Sequence, residues 1–163
     1  MPINHIETYA LQLLEERGVS IDEIGELVFF LQEKYIPNLD LATCIEQVHH
    51  VLSKREVQNA IITGITLDKL AENKQLEEPL QSMIYNDEGL YGIDEVVALA
   101  IVNIYGSIGF TNYGYIDKVK PGLLARLDDK REGCHTFLDD IIGAIAAAAS
   151  SRLAHALAHK ANH

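Results

Sequence analysis

Three groups of residues in the second half of this chain have the types and spacing for chemistry. They are Asp94-Glu95, then Asp117-x-x-Lys120-Pro121, then Asp139-Asp140. Carboxylates are hard oxygen donors, and neither acidic pair alone supplies enough of them for a hard cation. Two pairs on separate helices could converge on one ion. A lysine between them is the kind of group that offsets phosphate charge. The combination points to a metal held by carboxylates beside a bound phosphate. Each pair also has a plain structural explanation, because acids in a first helical turn meet the exposed N–H groups and the positive end of the macrodipole.

Lys118, Lys120, Arg126, Lys130 and Arg131 fall close together around the central motif. A basic patch on an otherwise acidic chain could counter an anionic substrate. Other combinations are weaker. His155, His159 and His163 recur every four residues, as would suit a transition metal, but they sit at a chain end where helices fray. His49-His50 reads as helix surface. Cys134-His135 is adjacent in sequence without any nucleophile signature around it, and Ser150-Ser151 follows no nucleophile-elbow pattern. Neither a P-loop nor a dinucleotide fingerprint occurs.

Composition narrows the partners. The 163 residues carry 24 acidic and 13 Lys or Arg side chains, a formal net charge of −11. That excludes counterion-driven binding of nucleic acid and disfavours general attraction to anionic membranes. Two unrelated cysteines and no basic-then-apolar N-terminus suit a reducing cytoplasm. Residues Val96 to Ile116 hold no charged side chain and reach membrane-spanning length, yet Ser107, Thr111, two asparagines, three tyrosines and three glycines interrupt them. A buried helix followed by a glycine-rich loop fits that run better.

The elements that would position the acidic groups are helical throughout. Asn4 with Glu7 marks a first helix that stops at Gly18, and Ser20-x-x-Glu23 is a capping box for a second. Asp40 caps a third helix, and Ser53-x-x-Glu56 predicts a capping box for a fourth. Gly64 inside that fourth helix implies a close helix contact. Pro79 starts a short helix, residues 86–92 form a polar loop, and a helix follows from about Ile93 to Tyr105. Pro121 starts another short helix. Thr136 caps a long Ala-rich last helix, whose Gly143, Ala147 and Ser151 form a small-residue face for close packing or for a second copy of the chain. The expectation is one all-α domain over 1–163, a multi-helix bundle around a buried Ala/Gly-rich C-terminal helix. Residues 1–75 would form its N-terminal helical portion and 86–160 its motif-bearing portion.

The order I-D-E-V-V, D-x-x-K-P and L-D-D-I-I-G-A resembles the phosphatidylglycerophosphatase A family, over about Gly92 to Ala149. The N-terminal helices are similar to its soluble Firmicutes-type branch, the low-temperature-requirement C proteins. The resemblance implies an Mg2+-dependent phosphatase of phospholipid biosynthesis, removing the terminal phosphate of phosphatidylglycerophosphate. It implies catalytic roles for Asp94, Glu95, Asp117, Asp139 and Asp140, metal ligation by Asp94, Glu95, Asp139 and Asp140, and phosphate contacts from Lys118 and Lys120. Mg2+ would polarise the phosphoryl oxygens while one carboxylate positions the attacking water. Two segments depart from the family pattern: Gly114 stands where an arginine is common, and Gly133-Cys134-His135-Thr136 replaces a glycine-rich segment. A non-catalytic headgroup- or protein-binding module, and a phosphatase for a soluble phosphate compound, are the competing expectations. For a lipid substrate, the stretch from Gly106 to Tyr115, with Tyr113 and Tyr115, would touch the inner face of the plasma membrane peripherally.

Overall fold

Capping chemistry sets the first boundaries in the computed structural model, which describes residues 3–129, 131 and 133–161. Helix α1 (Ile3–Glu16) contains Asn4 rather than starting after it, and the chain turns at Gly18 with φ of +76°. Ser20 opens α2 (Ile21–Gln32) with a full capping box, its Oγ accepting from the Glu23 N–H while the Glu23 carboxylate accepts from the Ser20 N–H, both at 3.2 Å. Asp40 caps α3 (Leu41–Leu52) by accepting the Thr43 N–H at 2.7 Å.

The second expected capping box does not form. Helix α4 (Arg55–Glu72) follows Lys54, which makes no side-chain cap. Ser53 ends α3 in helical backbone geometry, so its hydroxyl turns back and donates to the His50 carbonyl at 2.6 Å. After Pro79 comes α5 (Leu80–Tyr85), and α6 (Ile93–Val102) runs into a 3-10 turn at Asn103–Tyr105.

The segment expected as a glycine-rich loop is helix α7 (Ser107–Val119). Glycine costs about 1 kcal/mol in a helix, but burial of Tyr113 and Ile116 against the last helix outweighs it. Gly109 also permits the fold-back, since a Cβ there would stand 3.1 Å from Val102. A short α8 (Leu123–Asp128) and the long α9 (Leu138–Ala161) complete an all-α chain with no strand among the described residues.

Helix α9 is the axis. Every residue from Cys134 to Ser151 is buried, and α2, α3, α4, α6, α7 and α8 all pack on it. Small side chains let them approach. Ile116 and Tyr113 of α7 lie against Gly143, and the Ser151 hydroxyl donates to the Tyr105 carbonyl at 3.0 Å, so the small-residue face is filled within the chain. Residues Leu138–Lys160 are long and apolar enough to cross a membrane, but 67% of the apolar window is buried inside this bundle. The exposed His155 and His159 lie in its last turns, His163 falls outside the described residues, and His49 and His50 are exposed on α3.

Gly64 makes the close contact that its place in a helix implied. A Cβ there would collide with the Ile141 side chain and stand 3.0 Å from the Phe137 Cβ. Gly64→Val is therefore expected to destabilise the fold by about 2 kcal/mol through overpacking, read as a lower midpoint in urea unfolding with an unchanged slope.

Candidate metal and phosphate site

The first turn of α9 is anchored from beneath. Asp68 of α4, fully buried, accepts from the Phe137 N–H at 2.9 and 3.2 Å and from the Leu138 N–H at 2.9 Å. Thr136, expected to be the cap, instead donates its hydroxyl to the Ile84 carbonyl at 2.5 Å. A carboxylate offers two acceptors to two adjacent N–H groups, which a single hydroxyl does not. Arg17 ties the approaching loop to the N-terminal helices, donating to Glu72 at 3.1 Å and to the Cys134 carbonyl at 2.6 Å, while Glu72 accepts the Cys134 N–H at 3.0 Å.

So held, Asp139 and Asp140 face a cleft of about 220 Å³. The structure brings Asp94, Glu95, Asp117, Lys120, Asp139 and Asp140 together there. Asp94 is 9% exposed and Asp139 and Asp140 are 7% exposed each. Lys120, at the left-handed end of α7, reaches Asp117 at 3.3 Å and Asp139 at 3.7 Å. Asp140 accepts the Tyr113 hydroxyl at 3.3 Å and shares a hydrogen bond with the Asp94 carboxyl. Tyr113 is thus a buried support of the cleft rather than part of a surface loop.

Lys118 is exposed and does not line the cleft. The wider basic cluster also disperses: Arg126 pairs with Glu23 at 3.0 Å, and Arg131 with Asp129 at 2.8 Å. Lys130 lies outside the described residues. Gly114 sits one turn before Asp117 with open space where its Cβ would be.

Sequence reasoning missed Asp87, Glu88 and Asp128, which also line the cleft. One carboxylate oxygen from each of Asp87, Asp128 and Asp139 lies within 4.8 Å of the other two, a spacing that could hold a metal ion. Asp87-Glu88 reads in sequence as an ordinary polar loop and Asp128 as a helix end, so only the packing of α5 on α4 and of α8 on α9 reveals them. Among the described residues, eight carboxylates therefore surround one ammonium. A second cavity of about 210 Å³ adjoins the cleft, shares Asp87, Asp128 and Asp139 with it, and is walled by Tyr85, His135 and Thr136.

Electrostatics follow from that imbalance. Burial, then the neighbouring Asp139 and Asp94, push the Asp140 carboxyl far above its ordinary range; burial raises Asp139 too, opposed by Lys120. Asp68 is pushed up to about 8 by burial, against the pull of its two N–H donors and Arg17. Burial alone would lower Lys120, but Asp139 and Asp117 outweigh it and raise its pKa. Cys134 and His135 form no nucleophile pair. Burial raises the thiol, whose sulfur faces the Ile84 carbonyl, and the His135 Nδ1 lies 3.1 Å from the Leu127 carbonyl, which can only accept.

These shifts have a sign. Between about pH 4, where free aspartate titrates, and the raised folded values, the folded protein keeps protons that the unfolded chain has released. Stability must fall as pH rises through that window. Without divalent cations, Tm is expected to be roughly 5 °C or more higher at pH 5.5 than at pH 8. An excess of divalent cation should flatten the dependence by holding the carboxylates ionised. Thermal scans with and without chelator test both.

The comparisons with known proteins agree with this architecture. The chain is 65% identical over 157 residues to the uncharacterized Bacillus subtilis protein YutG, covering 96% of this chain and 95% of that one. It is 54% identical over 153 residues to the uncharacterized YpjQ of the same organism, covering 94% and 86%. Among solved structures, the low temperature requirement C protein from Listeria monocytogenes superposes with a TM-score of 0.91 at 64% identity, over 93% of this chain and 96% of that one. The ypjQ crystal structure gives a TM-score of 0.93 at 52% identity over the whole of both chains. The phosphatidylglycerophosphatase A family model matches residues 13–155, and the chain belongs to that family.

Proposed function

We propose that the protein is a metal-dependent phosphomonoesterase acting on a phospholipid phosphate, with phosphatidylglycerophosphate as substrate and Mg2+ as the ion. The observation that carries this reading is the cleft in which, among the described residues, eight carboxylates face a single lysine. Asp94, Asp139 and Asp140 are buried there, and gathering carboxylates around buried ones is costly unless a cation joins them. An all-oxygen lining suits a hard ion such as Mg2+. Asp94, Asp139 and Asp140 would hold it, with Glu95, Asp87 and Asp128 within the same cleft. When bound, Mg2+ supplies Lewis-acid polarisation of the phosphoryl oxygens.

The chain's own groups then divide the remaining work. Lys120 offsets phosphate charge, and Asp117 on one side and Asp139 on the other fix its ammonium. Tyr113 orients Asp140 by donating to it. The N-terminus of α9 does not cradle phosphate, because Asp68, the His135 carbonyl and the Asp139 side chain already accept from residues 137–140. The adjoining cavity leaves room for the alcohol that carries the phosphate. Asp140→Asn removes a carboxyl that the folded, metal-free protein must keep protonated. It is expected to lower Mg2+-dependent phosphate release by about a hundredfold or more while raising the Tm of the metal-free protein. Lys120→Met should raise KM for the phosphoester. A panel of phosphatidylglycerophosphate and soluble phosphomonoesters, assayed with Mg2+ and with chelator, tests the reading; no metal-dependent release from any of them would end it.

A further inference from the structure

The cavity beside the cleft has a size and a lining that select its occupant. Its volume of about 210 Å³ is the room of roughly seven water molecules, well below what a drug-sized ligand fills. It shares Asp87, Asp128 and Asp139 with the cleft, and the charge of its other carboxylate, Glu72, is answered by Arg17 at 3.1 Å. The rest of the wall brings hydroxyl, amide, thiol and imidazole groups from Tyr85, Asn86, Cys134, His135 and Thr136. Hydrogen bonds fix that wall. The Ile84 carbonyl accepts the Thr136 hydroxyl at 2.5 Å and faces the Cys134 sulfur at 3.6 Å, which ties the end of α5 to the start of α9. Gln81 ties α5 to α4, its amide donating to the Ala71 carbonyl at 2.8 Å while its oxygen accepts the Leu76 N–H at 3.1 Å. Tyr85, the last residue of α5, is thereby held at the cavity, 47% exposed, with Lys74 Nζ over its ring at 5.9 Å from the centroid.

Different occupants meet this lining differently. An anion meets the shared carboxylates and is repelled. An ammonium finds Glu72 and Asp139 already paired with Arg17 and Lys120. An acyl chain is too long for the space and leaves the polar wall without partners. A short neutral alcohol with several hydroxyls suits it, because each hydroxyl both donates and accepts. We propose that this cavity is the subsite for the alcohol, that it admits a small neutral polyol and leaves any acyl portion outside, and that Tyr85 determines specificity by hydrogen bonding a hydroxyl of that alcohol. The placement of the phosphate in the neighbouring cleft rests on the phosphomonoesterase reading, whereas the selectivity of the cavity rests on its own walls. A wall built to bond hydroxyls discriminates sharply against an analogue that lacks them.

Three water-soluble phosphomonoesters test the subsite, each assayed with Mg2+ on the full chain. They are glycerol 1-phosphate, 1-propyl phosphate, which keeps the carbon chain without its hydroxyls, and phosphoethanolamine, which carries an ammonium. The kcat/KM for glycerol 1-phosphate should exceed that for either of the others by about tenfold or more. Tyr85→Phe should cut this preference by about threefold or more, through KM rather than kcat. Equal kcat/KM for glycerol and propyl phosphates overturns the inference, as does a preference for phosphoethanolamine or a Tyr85→Phe variant that keeps the parent's preference. Binding of the same compounds to the Mg2+-loaded protein, read by saturation-transfer NMR, separates the subsite from turnover. If no compound releases phosphate, yet glycerol 1-phosphate binds about tenfold tighter than propyl phosphate and Tyr85→Phe narrows the gap, the subsite stands and the catalytic reading alone falls. Equal binding without release overturns both.

Discussion

A carboxylate from the middle of the chain holds the start of the central helix. By accepting the Phe137 and Leu138 N–H groups, Asp68 fixes where α9 begins and hence where Asp139 and Asp140 stand. The same bonds use up the donors that a helix N-terminus would ordinarily present to an anion. This end of α9 therefore brings negative charge to the cleft without free N–H groups. Among the described residues Lys120 is the one cation that lines the cleft, and the surrounding acids outnumber it. The site's chemistry follows from how one helix is capped.

That arrangement needs a stiff frame, because the carboxylates that stay ionised repel one another. The frame is the Ala-rich body of α9, narrow enough for six helices to pack around it. Glycines sit where neighbours come nearest, Gly64 against Phe137 and Ile141 and Gly109 against Val102. The N-terminal helices contribute directly to the cleft's geometry. Arg17 of the turn after α1 and Glu72 at the end of α4 hold the loop that leads into α9. Stability in the core thus offsets repulsion at one end.

Sequence pattern carried the helical class, the central place of α9 and the order of the acidic motifs, because apolar periodicity and helix-start acids are local signals. It failed where a distant residue competes for a local group. Thr136 looked like a cap until Asp68, far back in the chain, supplied a better acceptor, and Ser53 served the helix before it instead of the one after it. The glycines of residues 106–114 suggested a loop because spacing alone does not show the burial that favours a helix there. Asp87, Glu88 and Asp128 gave no signal, since a carboxylate in a polar loop looks the same whether or not it faces a cleft. The basic cluster was a property of sequence proximity, and in space its arginines answer nearby acids.

Gly133 bears on how this loop can drift over evolutionary time. Its φ of +122° is one that side chains rarely adopt, and a Cβ there would run into the Glu72 carboxylate. Any other residue would therefore push Glu72 aside and loosen its hold on Arg17 and the Cys134 N–H together. The short segment before α9 thus sets one glycine of positive φ against a fixed clamp. A side chain at this position would therefore be felt beyond the loop, in the link between the first helices and the cleft.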